Sequence, residues 1–177
     1  PGDTVLTYNL HTSTFEAKTV LETYSPMHDD IVEFVFSNGK SSQHTFDHPY
    51  FVKSKGWASY SPEKTILNYS AEASELKETS KIAVGDEVML DTGTYASIVK
   101  IEVIDTGLIK TYNFAVNDNK NYFADGVLVH NKVMDGGGET TFDGYGGIDK
   151  GFYADEVEVV VTQMETHLSI PTQTFTA

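Results

Sequence analysis

Asn121-Tyr122-Phe123-Ala124-Asp125-Gly126-Val127-Leu128-Val129-His130-Asn131 is the stretch on which the reading of this chain turns. Two short apolar runs flank Asp125-Gly126, a strong turn pair, and predict a β-hairpin. The second run stops on His130-Asn131, and Lys-Val-Met-Asp-Gly-Gly-Gly-Glu follows, which is loop composition. A strand ending on His-Asn at such a border has a chemical meaning. The carboxamide nitrogen of Asn131 can attack its own main-chain carbonyl, close a five-membered succinimide and break the peptide bond to Lys132. The reaction is slow in water. A rigid fold accelerates it by holding the attacking atom in near-attack geometry, and an imidazole in the place of His130 can serve the carbonyl and the leaving amine. A His-Asn pair alone is also an ordinary strand end, so the rest of the chain has to supply the context.

The 177 residues suit one domain with an appendage, and 40% hydrophobic and 12% aromatic content can build a core. The formal charge of −14, with 12 basic residues scattered singly, argues against nucleic acid, whose phosphates require clustered Lys and Arg. No apolar run approaches the roughly 20 residues of a membrane span, and no signal peptide is visible. The location in the cell is left open. The absence of cysteine removes disulfides, Cys-ligated zinc and a thiolate nucleophile from the chain as given.

Residues 1–131 read as about ten short strands with frequent turns, an all-β pattern. Gly2 to Tyr8 and Thr14 to Glu22 form a first hairpin. Asn38-Gly39 predicts a second one with a two-residue type I′ turn, returning through Gln43 to Phe46. Pro49 disfavours a central strand position. Residues 61–80 hold the helix formers Ala71 to Lys77 but no apolar stripe, and predict at most a short surface helix or a loop. Gly85-Asp86 kinks the strand over residues 82–90. Tyr95 to Ile104 alternates, with Val99, Ile101 and Val103 expected to face inward. Residues 132–152 carry seven of the glycines and read as a flexible linker. Residues 153–177 return to a strand pattern, too short to own a core, and suit a β tail, an assembly contact or the stub of a downstream domain.

Four separated blocks across residues 1–131 resemble the Hint family of inteins, bacterial intein-like domains and hedgehog autoprocessing domains. Pro1-Gly2-Asp3-Thr4-Val5-Leu6-Thr7 resembles the start of an intein just after its first residues. Thr45-Phe46-Asp47-His48-Pro49-Tyr50-Phe51-Val52 with Gly56-Trp57 is similar to the Thr-x-x-His block. Val84-Gly85-Asp86-Glu87-Val88 resembles an internal turn, and Asn113 to Asn131 the closing blocks. The resemblance implies an all-β horseshoe with pseudo-two-fold symmetry, acting in cis on its own flanking segments without a cofactor. It implies an N-terminal acyl shift in which His48 contacts the scissile amide nitrogen and Thr45 polarises or orients the bond. Asp47 is a further candidate within that block. It implies C-terminal cyclisation of Asn131 assisted by His130.

Three departures follow. Pro1 aligns with the third residue of the family's start, so a Cys, or else a Ser, is expected two positions upstream. Lys132 is not the acyl acceptor that splicing uses, which suits the cleavage-type branch. Lys120 stands where relatives carry a histidine, and a buried lysine there could still trade protons. The alternative from another class is a degenerate Hint fold kept as a structural module of a large surface or phage-tail protein, assembling through residues 153–177. His11 and His28 are expected at surface turns. His44 is expected to be structural, on the face opposite Thr45. His167 has no motif around it. Asp29, Asp30 and Asp118 read as turn acids, and no His, Asp and Glu cluster has metal spacing.

Overall fold

The computed structural model describes residues 1–69 and 73–131, all within the first of two units into which the chain divides, Pro1–Gly138. The strands are β1 (Thr4–Asn9), β2 (Thr14–Tyr24), β3 (Met27–His28), β4 (Ile31–Phe36) and β5 (Ser41–Thr45). Then come β6 (Tyr50–Val52), β7 (Gly56–Ser59), helix α1 (Pro62–Tyr69), a 3₁₀ turn at Ser74–Leu76, β8 (Ser80–Lys81) and β9 (Glu87–Met89). β10 (Tyr95–Ile104), β11 (Ile109–Lys110), β12 (Asn113–Val116), β13 (Asn121–Ala124) and β14 (Val127–His130) complete the set. The large sheet runs β13-β14-β6-β9-β10-β4-β5, with β7 on β6 and β8 parallel to β7. A three-stranded sheet β1-β2-β12 and the pair β11-β3 accompany it.

The two turn pairs behave differently, for a local reason. Asp125 and Gly126 both have positive φ, 51° and 79°, and join Ala124 directly to its partner Val127. That is the type I′ geometry whose twist matches the flanking strands. At Asn38-Gly39 only Gly39 has positive φ, 83°. Gly39 N–H donates to the Phe36 carbonyl at 2.9 Å and Phe36 N–H to the Lys40 carbonyl at 2.9 Å. The expected hairpin is present, but with a three-residue loop in which Gly39 takes the left-handed position.

β10 corrects a second expectation. Ala96 and Ile98 are buried, Ile101 packs on the core, and Val99 and Val103 stand about half exposed. The register against β4 slips between Ile98 and Lys100. This bulge places one extra residue in the strand and moves the inward face from even to odd positions at its middle. Simple alternation therefore assigned Val99 to the wrong side.

The helix is short and lies within residues 61–80, as expected, but it begins at Pro62, nine residues before the helix formers at Ala71, and is not superficial. The Ser61 carbonyl accepts from the Thr65 N–H at 3.1 Å, Pro62 fills the first helical position, and Glu63 meets the dipole in the first turn, hydrogen-bonded by the Ser61 hydroxyl. Thr65 and Tyr69, four apart on one face, are buried.

Two apolar clusters sandwich β14. Val127 and Val129 join Val32, Phe34, Phe36, Tyr50, Val52 and Ile98 on one side. Leu128 turns the other way onto Trp57, Tyr69, Leu76 and Met89. All four residues of β14 are buried, so an even-spaced partner of Leu128, namely His130, is delivered into the smaller cluster with its backbone anchored in the sheet. Among the described residues no helix is long and apolar enough to cross a membrane.

Candidate functional site

β14 ends against two loops. The His130 N–H donates to the Pro49 carbonyl at 2.9 Å, and the Asn131 N–H to the Lys120 carbonyl at 3.0 Å. Both residues are nearly inaccessible, His130 at 1% and Asn131 at 2%. The Nδ1 of His130 lies 2.8 Å from the Asn131 carbonyl oxygen, the carbonyl of the bond to Lys132. A carbonyl oxygen only accepts, so this contact is a hydrogen bond when Nδ1 carries a proton. Among the described residues the buried Oδ1 of Asn131 has no hydrogen-bond partner, an arrangement that costs about 1–3 kcal/mol and that native proteins mostly avoid.

The other nitrogen of the ring has a partner that sequence reasoning did not name. His130 Nε2 lies 3.3 Å from Glu75 Oε1, and Lys120 Nζ lies 3.6 Å from the same oxygen. The hydrogen bond from His130 pulls the Glu75 carboxyl down to about 2, with the Lys120 ammonium adding to the effect. Glu75 comes from the 3₁₀ turn, held down by the fully buried Leu76. Lys120 is not the buried lysine anticipated from its place in the chain. Its side chain is 42% exposed, with φ of 51° in the turn before β13. Trp57 sets its ring edge-on to His130 at 4.9 Å.

Thr45 at the end of β5 and Asp47 and His48 on the loop to β6 form a second group. The Thr45 hydroxyl donates to Asp47 Oδ1 at 2.6 Å, and the amide of Asn68, from α1, donates to Asp47 Oδ2 at 2.8 Å. The Thr65 hydroxyl of the same helix lies 2.7 Å from the Asp47 carbonyl oxygen. The His48 N–H closes the loop on the Thr45 carbonyl at 3.1 Å. Burial pushes the His48 imidazole down to about 4, partly opposed by the Asp47 carboxylate and reinforced by His130. His48 and His130 are therefore within electrostatic reach of one another, and the ring of His48 is uncharged at neutral pH.

His44 has the structural role expected of it, through a chain of polar contacts. Its Nε2 lies 2.9 Å from Ser42 Oγ, whose hydroxyl donates to Asp125 Oδ2 at 2.8 Å, while the Tyr50 hydroxyl meets His44 Nδ1. With Ser42 donating to the carboxylate, His44 Nε2 is the donor to Ser42, and Nδ1 accepts from Tyr50. The ring is enclosed by Tyr50 and by His48, centroids 4.6 and 4.9 Å away, although part of the residue reaches the surface. Burial and the neighbouring His48 hold its imidazole well below the usual histidine range.

The structure thus brings Asn131, His130 and Lys120 together with Glu75, and Thr45, Asp47 and His48 with Asn68. Glu75 and Asn68 had no local motif. Only the helix-start run Ser61-Pro62-Glu63 was legible there, and it would have placed Asn68 on α1. His11 is exposed at the β1–β2 turn, whereas His28 lies half-buried in β3 with Nδ1 3.1 Å from Asp30. Asp118 has φ of 59° and pairs with Lys18. His167 and the expectations for residues 132–177 lie outside the described residues. Among the described residues no group of three or more His, Asp or Glu side chains is placed to hold a metal ion.

Solved structures share this fold. A bacterial intein-like domain from Clostridium thermocellum matches with 30% identity and a TM-score of 0.57, covering 73% of this chain and 82% of that one. The chain belongs to the Hint family of intein-like domains. The all-β horseshoe implied by the motifs is its fold. A DnaB intein from Synechocystis sp. PCC 6803 matches this intein-like domain with 16% identity and a TM-score of 0.56, over 73% of this chain and 79% of that one. The gp41-1 intein does so with 18% identity and a TM-score of 0.52, over 73% and 80%. At those identities the two likenesses speak for the fold alone. The Ataxin-1 and HBP1 module (AXH) matches residues 8–90. That match covers under half of the chain and stops short of β13 and β14. No curated protein matches.

Proposed function

We propose that this intein-like domain cleaves its own chain at the Asn131–Lys132 bond by cyclisation of Asn131, residues 1–131 being the domain and residues 132–177 the segment released. The observation that carries this reading is His130 Nδ1 at 2.8 Å from the Asn131 carbonyl oxygen. In the step, Asn131 Nδ2 attacks the Asn131 carbonyl carbon and gives up one proton. The carbonyl oxygen takes up negative charge, and the Nδ1 proton of His130 faces it. The bond to the Lys132 nitrogen then breaks, and that nitrogen gains a proton to leave as a free amine. The products are a C-terminal succinimide on Asn131 and a new amino terminus at Lys132, with no water consumed. Rotation of the Asn131 amide toward its carbonyl breaks no hydrogen bond at Oδ1 among the described residues.

Thr45 and His48 serve an acyl shift at the upstream junction, the domain acting in cis on both flanking segments. An imidazole near 4 accepts a proton weakly at neutral pH, but once protonated it is a strong acid toward a departing amine. Asp47, fixed by Asn68, orients the Thr45 hydroxyl. Lys132 offers an ammonium where splicing uses a hydroxyl or thiol, so the downstream step ends in cleavage rather than ligation.

The test is intact mass after incubation of the folded chain between about pH 6 and pH 9, the range over which an imidazole exchanges protons. Fragments 1–131 and 132–177 are expected, and Asn131→Ala is expected to stay whole. A folded chain that stays whole throughout overturns this reading in favour of a Hint fold kept as an assembly module.

A further inference from the structure

We propose that Glu75 is a positioning residue that dictates which ring nitrogen of His130 keeps the proton, and so makes cyclisation of Asn131 fail once His130 is deprotonated. The inference rests on the cleavage proposed above. Its basis is that His130 meets an acceptor on each side, the Asn131 carbonyl oxygen at Nδ1 and the Glu75 carboxylate at Nε2. Neither acceptor can donate. An imidazolium satisfies both, because both of its nitrogens carry protons. A neutral ring has one proton and has to choose. The carboxylate is the stronger acceptor, since a charged partner roughly doubles a hydrogen bond. The neutral ring therefore keeps its proton at Nε2 and turns a bare Nδ1 lone pair toward the scissile carbonyl oxygen. That face repels the developing oxyanion instead of stabilising it.

The groups around the ring leave this choice to Glu75. From the 3₁₀ turn comes Glu75, from the turn before β13 comes Lys120, and from the loop before β6 comes His48. Trp57 of β7 contributes an uncharged edge. Lys120 shares the Glu75 oxygen, and the hydrogen bond from His130, with a smaller contribution from the Lys120 ammonium, holds that side chain ionised. His48, uncharged at neutral pH, adds no acceptor charge. Glu75 lies 55 residues from His130 in the chain and on an element apart from the family's motif blocks.

Glu75→Gln separates the possibilities. A glutamine amide can donate its NH₂ to a bare Nε2, leaving the neutral ring with its proton on Nδ1, toward the carbonyl. Cleavage of the full chain with Glu75 is expected to fall toward the alkaline end, by about tenfold in rate per pH unit. With Glu75→Gln the alkaline fall flattens, so the variant overtakes the parent at the alkaline end. Glu75→Ala, which leaves Nε2 to water, falls between the two and guards against a folding defect peculiar to Gln. Parallel pH profiles for the three chains overturn the proposal.

A second readout does not depend on cleavage. In Asn131→Ala full chain labelled with ¹⁵N at histidine, the ring-nitrogen shifts of His130 distinguish a protonated from a bare nitrogen. At the alkaline end the proposal expects a proton on Nε2 with Glu75 in place, and a proton on Nδ1 after Glu75→Gln. The same tautomer in both overturns it. If no chain cleaves, the gate on cyclisation is overturned along with the proposed function, while these shifts still decide the tautomer assignment.

Discussion

Lowering the pH from 7 to 5 sets two buried imidazoles against the fold. His48 titrates near 4 in the folded chain against 6.5 ordinarily, because burial disfavours its charged form. His44 is depressed in the same direction by burial and by His48. A histidine with a depressed folded value binds more protons when unfolded, so stability is full above 6.5 and is lost as the pH falls toward the folded value. At pH 5 the unfolded His48 is almost wholly protonated and the folded one almost wholly neutral. Between pH 7 and pH 5, the unfolded value of 6.5 and the folded value of about 4 give a loss of about 2 kcal/mol for His48 alone. His44 adds a loss of the same sign. Glu75, held near 2, contributes stability that is full above its ordinary value of 4.5 and fades below it, so it leaves the window between pH 7 and 5 to the histidines. Urea unfolding of Asn131→Ala, followed by the fluorescence of the single tryptophan Trp57, measures this directly. With m of about 1–3 kcal/mol/M, the midpoint is expected to fall by about 0.7–2 M between pH 7 and 5. His48→Gln is expected to remove its share of that slope. A midpoint independent of pH over this window, or a slope unchanged by His48→Gln and His44→Gln together, refutes the assignment of uncharged buried rings.

Ser42→Ala removes the link between His44 Nε2 and Asp125 and leaves a buried donor unpaired. A loss of about 2 kcal/mol is expected in chemical unfolding, together with non-additivity against Asp125→Ala in a double-mutant cycle. Leu128→Ala opens a cavity between Trp57, Leu76 and Met89 beside His130. It is expected to cost about 2–5 kcal/mol and to slow cleavage at Asn131 at temperatures where the chain is still folded, read by mass spectrometry. Gly126→Ala forces a side chain into the left-handed region at φ of 79° and brings its Cβ to 3.3 Å from Asp91 Oδ2. A loss of about 1–2 kcal/mol follows, seen as a lower melting temperature in calorimetry.

What the sequence determined alone lies within short reach along the chain. Asp125-Gly126 is a type I′ turn because its two residues tolerate positive φ, and that condition needs no distant partner. The hairpin of β13 and β14 follows, with His130 and Asn131 at its end. The proposed nucleophile and electrophile of Asn131 belong to one residue, so a dipeptide suffices to suggest the chemistry. The Thr45 to His48 spacing is equally local. The tertiary structure decided the rest. Whether Val99 faces in or out depends on the bulge against β4, and the turn at Asn38-Gly39 depends on where β5 regains register. Lys120 is half exposed, with its ammonium 3.6 Å from the Glu75 carboxylate that the 3₁₀ turn brings there. Glu75 reaches that ring only because Leu76 is buried under Leu128, and Asn68 reaches Asp47 only because Thr65 and Tyr69 seat α1. These are contacts between residues far apart in sequence, made by packing, and no periodicity or motif encodes which surfaces will meet.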